Sequence, residues 1–412
     1  MGAVRVYIKP FDDAGDYVSD WTEVSRYVTK VGAIKVDVDS ADFQLGFFRT
    51  SSVSLSLNNR DGRFSDVGSS ESIFHYTRAN SLVKITWAVM PEQPKWGFAR
   101  AGFCTVSPEV TVFEGLLNDD GFREDANTEV VDFRVLGYDS LFDGENVPFD
   151  DISAGDSIQD LIYACLNQTS ITNHLTVSLA NISPGEDQNS DVVAWLENRS
   201  VKEALDKLLL VSNSVAYIEN GVIYVTDRTP SVSVVKTFYG QASRSGIENI
   251  VNIFNVTNGI NRTFNYFYWR DSAAVQKNNA AIQKYKVRKK EIDFEIFTNV
   301  TKQGTLLENL LNEFYLPKKE FEISVPVEYD VLELALLDKI AVDYPTVFVP
   351  TPGFSLPMCG IAVCGSTSTD VDGATLPLGL WSLTIDVSGE WKILSKEIDL
   401  MAEKATFKVR AV

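Results

Sequence analysis

A short segment in the first quarter of the chain alternates polar and apolar side chains and then reaches a turn. Residues 54–57 read Ser-Leu-Ser-Leu, which is the pattern of a strand with one buried and one solvated face. Asn58 ends this run, and Asp61-Gly62 follows as a dipeptide suited to the positive φ of a tight turn. Phe64 then returns an apolar ring. The segment therefore predicts a β-strand that leads into a turn anchored by an aromatic side chain.

Other stretches of the first 148 residues carry the same kind of pattern. Short strands are predicted, in chain order, at 33–38, 82–89, 112–117 and 130–142. Turn signals rich in Asp, Gly and Pro separate them. We therefore expect residues 1–148 to form an all-β unit.

The order of these motifs resembles the N-terminal domain of the baseplate hub, or tail-tip hub, proteins of tailed bacteriophages. In that family a strand and turn of the form LxNxDGxF precedes a strand of the form FxGxL, and a further strand runs into a helix. Residues 57–64 and 113–117 match the first two motifs. The resemblance implies that residues 1–148 form a tube-like β-barrel domain.

Two helices and a hairpin are predicted after this first unit. The apolar residues of 157–166 and of 200–212 fall on one face of a helix in each case. A strand pair then follows across Asn220-Gly221, the dipeptide typical of a two-residue hairpin turn. This succession predicts a small α/β domain over residues 149–235, and a module of this kind lies between the two barrel domains of the hub family.

The remainder of the chain predicts strands again, together with one amphipathic helix. Leucine and phenylalanine residues form a single stripe within 301–315, which predicts a helix. Residues 332–344 resemble a family segment in which a turn leads into a strand. Asp338 is kept there, but Leu337 stands where the family favours glycine, the residue that adopts positive φ without cost.

The resemblance implies a second tube-like β-barrel domain over residues 236–412. Within it, residues 346–389 are rich in Pro, Gly, Ser and Thr. Such a composition predicts a long excursion that projects from the barrel. The expected fold class is thus mainly β, with a smaller α/β module of two helices and a hairpin inserted between two barrels.

Charge and cysteine usage exclude several classes of function. The formal net charge of −19 argues against a protein that tracks nucleic-acid phosphates, since that affinity comes from clustered Lys and Arg. The chain has four cysteines and two histidines without the spacing of a metal site. Neither histidine stands in a recognisable catalytic pattern, and the paired acidic residues fall in turns. We therefore expect no catalytic residues, no metal and no cofactor.

One basic run stands out in this acidic chain. It contains four lysines and one arginine, namely Lys284, Lys286, Arg288, Lys289 and Lys290. A solvated strand or loop face would account for such a run. The functional alternative is a contact patch for an acidic neighbouring subunit, because complementary charge sets the register between partners.

The resemblance implies a structural, non-enzymatic protein of the virion, assembled in the host cytoplasm. A homotrimer with two barrels in each chain would form a pseudo-hexameric ring that matches a six-fold tail tube to a three-fold fibre or spike. The expected partners are the tail tube or a distal tail protein, the fibre or spike, the tape measure protein in the lumen, and DNA in transit. No membrane binding is expected. The predicted turn-setting residues at ring contacts are Asn58, Asp61, Gly62, Phe64, Asn220, Gly221 and Asp338.

Two alternative functions, each from a different class of protein, remain open. A tail-associated adhesin would use exposed aromatic side chains, with Tyr266, Tyr268 and Trp269 as the candidates for stacking on sugar. A cell-wall or polysaccharide hydrolase would need two carboxylates that face each other across a cleft.

Overall fold

The computed structural model describes most of the 412-residue chain. The described residues are 2–38, 46–50, 52–65, 67–68, 70–89, 109–125, 127–148, 151–179, 190–197, 199–219, 221–227, 233–239, 252–293, 297, 299–343, 347–350, 382–385 and 387–412.

Strands dominate the secondary structure. They are β1 (Gly2–Lys9), β2 (Thr22–Glu23), β3 (Val28–Val31), β4 (Ile34–Val38), β5 (Gly46–Thr50), β6 (Val53–Asn58), β7 (Leu82–Val89), β8 (Glu109–Asp125), β9 (Val130–Gly137), β10 (Thr176–Ser178), β11 (Ser214–Glu219), β12 (Val222–Asp227), β13 (Val234–Tyr239), β14 (Asn252–Thr257), β15 (Tyr266–Trp269), β16 (Val275–Lys277), β17 (Lys289–Ile292), β18 (Glu320–Pro326), β19 (Lys339–Asp343), β20 (Val347–Pro350), β21 (Ser382–Ile385), β22 (Gly389–Asp399) and β23 (Lys404–Ala411).

The helices contain fewer residues in total than the strands, and five of the eight described helices lie between residues 141 and 211. They are α1 (Leu141–Gly144), α2 (Ile158–Leu166), α3 (Thr169–Thr172), α4 (Ser190–Leu196), α5 (Val201–Val211), α6 (Asn279–Tyr285), α7 (Val300–Phe314) and α8 (Tyr329–Leu332), with 3-10 turns at Ser25–Tyr27, Tyr138–Ser140 and Ile260–Arg262. Among the described residues, none of these helices is long and apolar enough to cross a lipid bilayer.

The first large sheet is antiparallel throughout and contains seven strands in the order β2-β1-β7-β8-β9-β6-β3. In β6 the buried side chains alternate with more exposed ones. Leu55 and Leu57 point into the core and are fully buried, as the sequence alternation predicts. Phe133 on the neighbouring strand β9 belongs to the same core.

The second large sheet joins distant parts of the chain. Its eleven strands include the path β10-β12-β11-β5-β4-β22-β23-β18-β14, and β19 adds to β22 while β13 adds to β19. The β4–β5 hairpin therefore enters a sheet that is otherwise built from later residues. The inner faces of both large sheets contribute to one hydrophobic core, in which Phe133 of the first sheet belongs with Phe407 of the second.

A second core holds the helices together. α2 and α5 bury their apolar stripes in it, and the stripe of α7 joins them with Phe267 and Trp269 of the three-stranded sheet β16-β15-β17. Local capping explains where α2 begins, since the Ser157 side chain accepts from the Asp160 N–H and the Asp160 carboxylate accepts from the Ser157 N–H.

The mainly β class predicted from the sequence is confirmed, and so are the helix within 301–315, as α7, and the hairpin of β11 and β12. No sheet among the described residues closes on itself, so the two closed barrels stay a prediction. The domain ranges 1–148, 149–235 and 236–412 also stay a prediction. Strands from all three ranges lie in the eleven-stranded sheet.

Most of the predicted excursion over 346–389 lies outside the described residues. Its described parts include β20 and β21, which pair with each other antiparallel. Asn220 of the hairpin turn also lies outside the described residues, whereas Gly221 next to it has a φ of 71°, as a tight hairpin turn requires.

Candidate functional site

The turn after β6 is built around an aromatic anchor. Gly62 has a φ of 67° and its N–H donates to the Asn59 carbonyl over 2.9 Å. Phe64 is fully buried and meets the Tyr27 ring edge-to-face at a centroid distance of 5.2 Å. The Tyr27 hydroxyl in turn donates to the Asp61 carboxylate over 2.9 Å. The predicted residues Asp61, Gly62 and Phe64 therefore act together in one rigid turn.

Asn59, not its neighbour Asn58, is the central polar residue of this turn. Asn59 is only 6% exposed. Its Oδ1 accepts from the Phe64 N–H over 2.8 Å, and its Nδ2 donates to the Glu124 carboxylate over 3.0 Å. Asn58 is partly exposed, and among the described residues its side-chain oxygen accepts the Arg60 N–H over 3.1 Å. The spacing of the LxNxDGxF motif, with its Asn two positions after Leu57, could have indicated Asn59.

The turn before β19 requires a backbone conformation that is unusual for a branched side chain. Leu337 has a φ of 69° while its side chain is buried, at 6% exposure. Its N–H donates to the Ile393 carbonyl over 3.0 Å, and the Ile393 N–H donates to the Asp338 carbonyl over 3.0 Å. Leu337 thus takes the conformation for which glycine is the usual residue, and it adds a side chain to the core.

A buried lysine lies beside this turn. Lys396 on β22 is 8% exposed. Its Nζ donates to the carbonyls of Leu332 and Leu334, over 2.7 and 2.8 Å, and lies 3.6 Å from Glu219 Oε1 at the tip of β11. Burial lowers the pKa of Lys396, while the Glu219 and Asp338 carboxylates oppose that shift. Within the second large sheet, this cluster therefore connects the end of β11 to β22 and to the segment before β19.

The two carboxylates of this cluster bind protons more readily than they would in water. Burial raises the pKa of Glu219, against the opposing effect of Lys396. Burial also raises the pKa of Asp338, although its carboxylate accepts from the Ala335 N–H over 2.8 Å. The predicted residues Gly221 and Asp338 therefore flank one polar cluster, and the turn of Phe64 contributes no residue to it.

A pocket opens next to Lys396, between strands of both large sheets. Its lining includes Val36, Phe113, Tyr217, Leu336 and Lys396. Glu114 also lines it, and burial raises the pKa of this carboxyl, with Lys84 opposing the shift. A Cβ built on Gly221 would lie 3.4 Å from Glu114 Oε2. The hairpin tip therefore approaches β8 closely.

The basic run is held in place by a buried asparagine. Asn265 is 0% exposed. Its Nδ2 donates to the Lys286 carbonyl over 2.7 Å, and its Oδ1 accepts from the Arg288 N–H over 2.8 Å. Lys286 has φ 61° and ψ 173°, a region of backbone space that is almost confined to glycine. Two hydrogen bonds thus fix a strained segment that displays basic side chains.

The five predicted basic residues differ in their surroundings. Lys284, Lys286 and Lys289 are exposed, whereas Arg288 and Lys290 are partly buried. The Arg288 Nε donates to the Thr263 carbonyl over 3.0 Å, so this guanidinium is partly used inside the protein. The patch that remains available to a partner therefore centres on the three exposed lysines.

No three His, Cys, Asp or Glu side chains come together as metal ligands in the described part of the chain. Cys165 is fully buried, and burial raises the pKa of its thiol to about 12. His174 stacks on Tyr138, at a centroid distance of 5.6 Å. Cys104, Cys359 and Cys364 lie outside the described residues.

The aromatic set proposed for sugar stacking is divided between two faces of the three-stranded sheet. Trp269 is 2% exposed and packs against Phe297, at a centroid distance of 5.7 Å. It cannot stack on a ligand, and this part of the adhesin hypothesis is wrong. Tyr266 and Tyr268 lie on the other face and are partly exposed.

The chain shares its fold with solved tail proteins. The crystal structure of the tail protein from Neisseria meningitidis MC58 has a TM-score of 0.54 at 11% identity, and the match covers 99% of this chain and 96% of that one. The 43 kDa tail protein of prophage MuSo2 from Shewanella oneidensis has a TM-score of 0.52 at 10% identity, with 99% and 98% covered. No protein-family model and no curated protein matches the sequence. The similarity is thus one of fold.

Proposed function

We propose that this chain is a structural, non-enzymatic component of a bacteriophage tail, and specifically the baseplate or tail-tip hub that caps the tail tube. The observation that carries the proposal is the shared fold, which extends over 99% of this chain and nearly the whole length of both tail proteins. A match over 99% of this chain favours a common architecture over a single shared domain.

Two features of the fold support a hub in particular. Each end of the chain contributes strands to a large sheet, and the two sheets share a core. The β4–β5 hairpin lies in the chain between β3 and β6, which are strands of the first sheet. This hairpin pairs with β22 of the second sheet over residues 34–36 and 396–398, so the first sheet is tied to the second. Two tube-like units held in one rigid chain would let three copies present six similar units to a tail tube.

The charge of the chain is consistent with a channel that DNA crosses. A net charge of −19 on a ring would repel phosphate and so limit adhesion of the duplex to the lumen. On this proposal the partners are a tail tube or distal tail protein above, a fibre or spike below, and a tape measure protein in the lumen. The protein would be located at the tip of the virion tail.

The oligomeric state tests this proposal directly. We expect light scattering on the purified chain to give three times 45.8 kDa, about 137 kDa, and negative-stain images to show a three-fold ring with a central channel. A compact assembly without a channel, or a stable monomer that also fails to bind a purified tail tube, would contradict the hub. Clearing of cell-wall suspensions by the pure protein would contradict the non-enzymatic role.

A further inference from the structure

One end of the three-stranded sheet gathers lysines around a tyrosine. Tyr266 at the start of β15 is opposite Lys277 of β16 on one side and Lys289 of β17 on the other. Residues opposite each other in neighbouring strands point to the same face, and Lys289 Nζ lies 5.4 Å from the centre of the Tyr266 ring. Lysine, tyrosine and lysine therefore lie side by side across the three strands, with the aromatic ring between the two cations.

The crossover between the two edge strands adds positive charge at the same end. Residues 278–288 run from Lys277, the last residue of β16, to Lys289, the first residue of β17, by way of α6. They carry the exposed Lys284 and Lys286. We call Tyr266, Lys277, Lys284, Lys286 and Lys289 the basic end.

The four lysines of the basic end are available to a partner. They are exposed, and within the described part of the chain none of them forms an ion pair with a carboxylate. The clamp of Asn265 on Lys286 and Arg288 fixes the backbone that carries them, at the cost of strain at Lys286. Pre-organised charge of this kind reduces the entropy lost on binding.

The complementary surface lies on the first large sheet. The loop over residues 10–21 carries the exposed Asp16 and Asp20, and an irregular part of β8 carries the exposed Asp119 and Asp120. We call these four carboxylates the acidic end. Residues 78–80 connect its two parts: the Tyr17 hydroxyl donates to the Asn80 carbonyl over 2.9 Å, and Arg78 Nε donates to Asp119 over 3.1 Å. Asp16, Asp20 and Asp120 have no cationic partner among the described residues.

We propose that the basic end of one copy docks on the acidic end of the next copy. The proposal rests on the proposed function, and it identifies the contact that would close the ring. The two surfaces belong to different segments, so the contact can repeat head-to-tail from copy to copy, and such a contact closes into a ring when the rotation per copy divides a full turn. A tyrosine between lysines suits a protein interface, where tyrosine is enriched.

A second copy fits the basic end better than a nucleic acid does. Affinity for a polyanion comes from many clustered Lys and Arg side chains, whereas the basic end has four lysines in a chain of net charge −19. The acidic end of a second copy presents a similarly small set of carboxylates, so the two surfaces match in charge and in size.

Charge reversal at each surface, separately and together, tests the contact. The first variant combines Lys284→Glu with Lys289→Glu, the second combines Asp16→Lys with Asp120→Lys, and the third carries all four changes. A control with Lys30→Glu and Lys404→Glu changes the charge equally at exposed lysines outside the basic end. Circular dichroism and thermal melting establish that each variant is folded.

We expect each of the first two variants to associate about tenfold more weakly than wild type by light scattering over a concentration series, since like charges then face each other. The third variant, whose charges are exchanged, should associate as wild type does. The control should also match wild type, and raising the salt concentration should weaken assembly of wild type.

The other outcomes separate this contact from the hub itself. If wild type forms rings and the first variant forms the same rings, the proposed contact is overturned while the hub proposal still holds. Open chains that respond to charge reversal would support the contact and contradict the hub. A wild type that stays monomeric overturns the contact. Binding of a labelled oligodeoxythymidine that the first variant loses, with assembly unchanged, also overturns it and assigns the basic end to a polyanion.

Discussion

The side chain of Asn265 and the backbone of Lys286 form one unit, because the Asn265 Nδ2 donates to the Lys286 carbonyl over 2.7 Å. Lys286 has a positive φ of 61°, and the hydrogen bond restrains it there. Asn265 also accepts from the Arg288 N–H and is fully buried. A single asparagine thus determines the shape of the loop that carries the basic run.

Replacing Asn265 should therefore destabilise the protein well beyond the loss of one hydrogen bond. We expect Asn265→Ala to lower the free energy of unfolding by about 3 kcal/mol, because two backbone groups lose their partners. Asn265→Asp keeps the size and the acceptor but faces the Lys286 carbonyl with an oxygen, so it should also be destabilising. Urea unfolding measures both, and an Asp variant as stable as wild type would refute the donor role of Nδ2.

Glycine substitution at the two strained positions should have opposite effects. Lys286 is exposed, so Lys286→Gly relieves strain with little loss of packing and should stabilise by about 1 kcal/mol. Leu337 is buried, and Leu337→Gly loses a core side chain worth about 3 kcal/mol against a strain of about 1 kcal/mol. We expect a net destabilisation of about 2 kcal/mol. Thermal melting of the two variants side by side tests this, and a stabilised Leu337→Gly would show that strain outweighs burial.

The two neighbouring asparagines at the first turn should differ in their contribution to stability. Asn59→Ala removes the acceptor of the Phe64 N–H and a donor to Glu124, and we expect a loss of about 2 kcal/mol. Asn58→Ala removes an exposed hydrogen bond from the Arg60 N–H, and we expect a loss of about 0.5 kcal/mol. Chemical denaturation of the two variants measures both losses in the free energy of unfolding, and equal losses would contradict the central role of Asn59.

Lys396 and Glu219 should be energetically coupled. Lys396→Met leaves two carbonyls and the Glu219 carboxylate without their cation, and we expect a loss of about 3 kcal/mol. Glu219→Gln alone should cost less, because Glu219 is only partly buried. The double variant should be more stable than the sum of the two losses predicts, by about 1 kcal/mol. Additive losses in the double-mutant cycle would exclude direct coupling.

Glu114 should make stability depend on pH in the direction opposite to that of a hydrogen-bonded carboxylate. Burial raises its folded pKa above the ordinary value of 4.5. Its stabilising contribution is therefore complete below 4.5 and is lost as the pH rises through the folded pKa. We expect Glu114→Gln to be more stable than wild type at neutral pH, with a difference that shrinks on acidification.

Asp160 provides the control of opposite sign. Hydrogen bonds from Ser157 lower the pKa of Asp160 below its ordinary value of 3.8. The contribution of the Asp160 carboxylate to stability is therefore present above pH 3.8 and is lost as the pH falls through the folded pKa. Asp160→Asn should thus be less stable than wild type at neutral pH, again with a difference that shrinks in acid. Thermal melts across a pH series measure both, and a pH-independent effect at Glu114 would contradict burial as the cause.

Local elements followed from the sequence because their signals are local. Strand β6, helix α7 and the hairpin turn at Gly221 depend on the spacing of apolar side chains and on turn residues only a few positions apart. The mainly β class follows from the sum of such elements. The family resemblance favours glycine at position 337, and this preference also indicated the unusual backbone conformation of Leu337.

Only the tertiary structure decided which elements share a sheet and which polar groups are buried. The pairing of the β4–β5 hairpin with β22 joins residues more than 300 positions apart, and nothing in either segment specifies its partner. Lys396, Asn59 and Asn265 look like ordinary surface residues in the sequence. They become central because distant carbonyls, carboxylates and N–H groups surround them in the fold, and the free energy of a buried polar group depends on those partners.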